Sequence, residues 1–61
     1  MKKDYSFICL TKTEYPIIKK WLQSKDIYFY PQQYDKKSTY VSVTMNEKQV
    51  QEYNDFIDST F

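Results

Sequence analysis

Pro31 stands inside the run IYFYPQQY, residues 27–34, whose aromatic and β-branched side chains otherwise read as a β-strand. Proline has no N–H to give a neighbouring strand, so such a run is tolerated only at the edge of a sheet. Asp35, Lys36, Lys37 and Ser38 follow as a polar turn, and Thr39 to Met45 form the next alternating segment. These two segments predict a hairpin, its strands spanning Ile27 to about Tyr34 and Thr39 to Met45. With the proline strand at an edge, the later strand, centred on Val41-Ser42-Val43, takes the middle of the sheet.

Upstream, DYSFICL predicts a first strand from Asp4 to Leu10. The chain then switches to helical spacing in TKTEYPIIKKWLQSK, with Ile17, Ile18, Trp21 and Leu22 on one stripe and Lys19, Lys20 and Gln23 outside it. Thr11 with Glu14 resembles a capping box, but that start would put Pro16 too deep in the helix. Thr13 is therefore the expected N-cap, leaving Pro16 in the tolerated first turn. A second helix begins after Asn46, with Gln49 placed to reach back as its capping partner and Val50, Tyr53, Phe56 and Ile57 as its inner stripe.

The expected fold is α+β, in the order β-α-β-β-α, as one small domain over residues 1–61. The first strand runs parallel to the second on the far side of the third, giving a three-stranded sheet in the order 1-3-2. A right-handed crossover puts both helices on one face. This is the split β-α-β of the ferredoxin-like topology, lacking its last strand. Topology of this kind does not specify function.

A domain of 61 residues buries roughly 60% of its unfolded surface, so its core is marginal. The usual reinforcements are missing, since a single Cys9 forms no internal disulfide and a chain without histidine offers no ordinary zinc set. A reducing, cytoplasmic setting is expected. The lysines of MKKDYSFICL are followed by too short an apolar run for a signal peptide, so the start is expected to belong to the mature protein, and no membrane partner is expected. The sequence has no Gly, Ala or Arg, residues with GC-rich codons, and is rich in Lys, Tyr and Ile. A phage or mobile element of a low-GC bacterium is the expected source.

Catalytic templates fail for want of residues: there is no histidine for a triad and no glycine for a phosphate loop. The expectation is a non-enzyme with no cofactor and no metal. Glu52, Asp55 and Asp58 read as a solvated acidic face, and Cys9 as a small hydrophobe. Net charge is +1, with nine basic and eight acidic residues, well short of an electrostatic footprint for nucleic acid.

Alternation sends Val41, Val43, Met45, Ile27 and Phe29 toward the helices. Tyr28, Tyr30, Tyr34 and Tyr40 are sent to the helix-free face. The first strand reads either way, with Ser6, Ile8 and Leu10 inward or with Phe7 and Cys9 inward. The clustered rings predict a protein-binding face with Tyr28, Tyr30 and Tyr40 as anchors and Tyr34, Lys36 and Lys37 at its rim. The expected function is a phage-encoded inhibitor or anti-defence protein that occludes a functional surface of a host protein. Below it ranks a single-stranded nucleic-acid binder using the same rings with Lys19, Lys20, Lys36 and Lys37. A homodimer through the open face or the first-strand edge is a further expected association. The C-terminal Ser59-Thr60-Phe61 could also fold back over that edge.

Overall fold

Alternation is clearest in the third strand, and the rest of the fold is arranged around it. The computed structural model describes all residues, 1–61, with β1 at Lys3–Leu10, α1 at Tyr15–Ser24, β2 at Phe29–Gln33, β3 at Ser38–Met45 and α2 at Glu47–Thr60. In β3 Thr39, Val41, Val43 and Met45 are buried, and Ser38, Tyr40, Ser42 and Thr44 on the other side are only half-buried. β3 is antiparallel to both neighbours, and the sheet order is β1-β3-β2. The topology is thus the α+β arrangement that the sequence predicts.

Hydrogen bonds show which backbone groups each strand spends on the sheet. Tyr34 N–H donates to the Ser38 carbonyl at 3.1 Å and Thr44 N–H to the Tyr28 carbonyl at 3.2 Å. Alternation then turns the even residues of the second strand toward β3 and leaves Pro31 facing outward. The missing N–H falls where no ladder needs it, which is the physical reason that this strand is an edge.

Both helices pack on one face, over a core of Cys9, Ile18, Leu22, Ile27, Val41, Val43 and Met45. α2 contributes no fully buried residue. It is held by a chain of rings: Phe7 stacks on Tyr53 with centroids 5.0 Å apart, Tyr53 meets the edge of Trp21 at 5.7 Å, and Trp21 stacks on Phe56 at 5.2 Å. Each such contact adds about 0.5–1.5 kcal/mol beyond the area it buries. This chain of rings also settles the facing of β1. Tyr5, Phe7 and Cys9 turn to the helices, while Ile8 and Leu10 turn to the open face.

Several local expectations need correction. Thr13 does not cap α1; Glu14 occupies the N-cap position with helical backbone angles and no side-chain capping bond. Its carboxylate instead reaches back to accept the Leu10 N–H at 2.7 Å, while its own N–H donates to the Leu10 carbonyl at 3.0 Å. Closing the end of β1 in this way competes with a cap from Thr13. Pro16 does fall in the first turn. Ile17 lies off the buried stripe at 42% exposure, and Tyr15 packs against the core in its place. The second strand is shorter than expected, with Ile27, Tyr28 and Tyr34 outside its regular part. Residues 59–60 continue α2 rather than folding back, and Phe61 N–H donates to the Ile57 carbonyl at 2.8 Å. Asn46 and Gln49 form the expected reciprocal capping box, with bonds of 2.8 and 3.0 Å.

Candidate functional site

The open face of the sheet is a grid set by register. Ile8, Tyr40 and Gln32 form one row across the three strands, Ser6, Ser42 and Tyr30 the next, and Asp4, Thr44 and Tyr28 the last. Tyr28 is 71% exposed and Tyr30 49%, while Tyr40, on the central strand, is half-buried by its neighbours. Ile8 and Leu10, at 50% and 48% exposure, add an aliphatic border on the β1 side. Between the borders lies a shallow hollow lined by Asp4, Ser6, Tyr28, Tyr40, Ser42 and Thr44. The Thr44 hydroxyl donates to the Asp4 carboxylate at 3.0 Å, fixing the only acid on this floor.

The three anchor tyrosines therefore share one face. Tyr34, 60% exposed, continues the same side beyond β2, next to Ser38. Lys36 and Lys37 sit in the β2–β3 turn, built by Asp35, whose carboxylate accepts the backbone N–H groups of Lys37 at 2.8 Å and Ser38 at 2.7 Å. Those bonds hold the Asp35 carboxyl below its ordinary pKa. Both lysines line a notch with Leu10, Thr11, Lys12 and Thr13, so the structure adds Lys12 to the rim. Ile8, Leu10 and Lys12 were missed as site residues. The signal for the first two was the alternation of β1, which reads equally well in both registers.

Lys19 and Lys20 are exposed on α1, which lies across the sheet from the tyrosines. They cannot share a surface with Tyr28, Tyr30 and Tyr40. Cys9 is buried, its thiol 3.8 Å from the Thr39 carbonyl, and burial pushes its pKa up, with a further push from the charge of Glu14. A thiol so placed is a poor nucleophile. Glu52 pairs with Lys25 at 3.4 Å, and no three His, Cys, Asp or Glu residues come together as a metal site. No helix is long and apolar enough to cross a membrane. Comparison with protein-family models, curated proteins and solved structures finds no match to this chain.

Proposed function

We propose that this protein is a non-enzymatic binding module whose open sheet face engages another protein. The observation that carries the reading is the uncovered grouping of Tyr28, Tyr30 and Tyr40 with Ile8 and Leu10 on one side of the sheet. Clustered exposed apolar surface is costly unless something covers it, and tyrosine supplies large contact area with little rotamer entropy to lose. Lys12, Lys36 and Lys37 form a basic rim at one end, suited to acidic groups on a partner. Together with an amino-acid usage that lacks Gly, Ala and Arg, the residues with GC-rich codons, this supports a phage or mobile-element inhibitor that occludes a host enzyme or defence factor in the host cytoplasm.

The test is affinity capture from a low-GC bacterial lysate with the wild type and with Tyr28→Ser/Tyr30→Ser/Tyr40→Ser, after circular dichroism shows both folded. The wild type is expected to retain a partner that the triple variant loses, because each lost hot-spot residue costs about 1–2 kcal/mol or more. A folded triple variant with undiminished binding would sink the assignment. A second reading, single-stranded nucleic acid, draws on the same rings beside the basic rim. It predicts binding to oligothymidylate that falls steeply with added salt, whereas an apolar protein interface is much less sensitive.

A further inference from the structure

The two edges of the sheet are not equivalent. Pro31 blunts the outer edge of β2, as described above. On β1, Thr11 N–H donates to the Lys37 carbonyl at 2.8 Å, so register turns the odd residues of β1 toward β3 and the even ones outward. Leu10 has both its outward groups taken by Glu14. Asp4, Ser6 and Ile8 are left with N–H and C=O groups facing no strand.

Above this edge hangs a roof. Tyr53 points down onto Phe7, Phe56 turns to Trp21 of α1, and Ile57 and Phe61 fall on the opposite flank of α2. With Phe7, Ile8, Cys9, Ile18 and Tyr53, these last two line a small, mostly apolar notch at the Ile8 end of β1, with Glu14 as its one charged wall. We propose that this slot takes an extended peptide segment of a partner protein, added to the sheet as a fourth strand antiparallel to β1. It adjoins the tyrosine face at Ile8 but contains none of Tyr28, Tyr30 and Tyr40.

Three features specify the peptide. The free groups of Asp4, Ser6 and Ile8 demand an extended backbone. The roof demands apolar side chains on alternate residues, those facing Phe7, Ile57 and Phe61. Charge sets the direction on the notch side: Glu14 lines the notch at the Leu10 end, where Lys12, Lys36 and Lys37 gather in a separate notch with Leu10, and Lys2 and Lys3 stand at the other end of β1. An antiparallel strand therefore fits best with a basic residue first and an acidic residue last. A second folded copy fits poorly. Antiparallel edge pairing about a two-fold axis puts both helix layers on one side, so the Ile57 and Phe61 flanks of the two α2 helices would meet above the seam and compete for the same space.

The experiment uses a short synthetic peptide alternating valine and threonine, with lysine first and glutamate last, titrated into the isotopically labelled full chain. Expected are slowed amide exchange at Asp4, Ser6 and Ile8, by on the order of 10-fold at saturation, and shifts at Ile57 and Phe61. Exchanging the peptide's terminal charges should weaken binding about 2- to 10-fold. Methylating its backbone nitrogens should abolish it. Ser6→Pro removes an outward N–H that carries no ladder bond and should lose binding while folded. Should that variant fail to fold, Phe61→Asp, at the exposed helix end, is expected to weaken binding about 10-fold. The triple tyrosine variant should bind the peptide normally, which separates this proposal from the face assignment. Unchanged binding of the N-methylated peptide, shifts confined to Tyr28, Tyr30 and Tyr40, no binding at all, or dimers that Ser6→Pro dissolves would each overturn it.

Discussion

Asp26 carries a backbone conformation that most residues avoid, with φ at 56°. It ends α1 in a Schellman arrangement: its N–H donates to the Gln23 carbonyl at 3.2 Å and the next N–H, of Ile27, to the Leu22 carbonyl at 3.0 Å. The accompanying apolar contact joins Ile27 and Leu22, both buried. Glycine is the usual residue at this position, and this chain has none. Asp26→Gly relieves the left-handed strain, partly offset by the greater freedom of glycine when unfolded. The expected net gain is about 0.5–1 kcal/mol, read as a rise of a few degrees in melting temperature, while Asp26→Val should lower it. Without the glycine signal the turn was not legible in the sequence. The Thr13 cap failed for a related reason, because local propensity could not foresee that Glu14 would be recruited to close the end of β1.

At the scale of elements, what could be read depended on contrast between faces. β3 alternates apolar and polar residues so cleanly that only one face can be buried, and Pro31 then fixes the sheet order. β1 offers Tyr5, Phe7 and Cys9 against Ile8 and Leu10, two comparably apolar faces, so only docking of α2 decides between them. That docking rests on Tyr53, whose hydroxyl group has its pKa pushed up to about 12, by burial first and then by the negative charges of Cys9 and Glu14. The neutral phenol is the form the folded state prefers. Stability is accordingly expected to hold up to the ordinary tyrosine value near pH 10 and to decline as pH rises through about 12. Following phenolate absorbance and α-helical circular dichroism together should show Tyr53 ionising last, with helix lost in the same range. Tyr53→Phe should remove that final absorbance step.

For the whole molecule, the same economy governs stability and binding. Only seven apolar residues form the fully buried core, and half-buried rings carry the remainder. At roughly 0.05–0.15 kcal/mol per residue, 61 residues give a stability of about 3–9 kcal/mol. Leu22 is completely buried at the point where α1, Val41 and Val43 meet. Leu22→Ala should cost about 2–5 kcal/mol, because a cavity there is closed in by strands that cannot move inward without breaking their ladders. Denaturant titration at 25 °C should therefore find a much lower midpoint than the wild type's, and at the low end of these ranges a variant already partly unfolded in buffer with a poorly dispersed amide spectrum. A ligand that binds only the folded state stabilises it by mass action, and a marginal variant is where this is easiest to see. The valine–threonine peptide should restore dispersed resonances to Leu22→Ala if the slot above β1 belongs to the same cooperative unit as the core. Were Leu22→Ala to lose less than about 1 kcal/mol, the half-buried aromatic chain, rather than the buried core, would be the principal support of this fold.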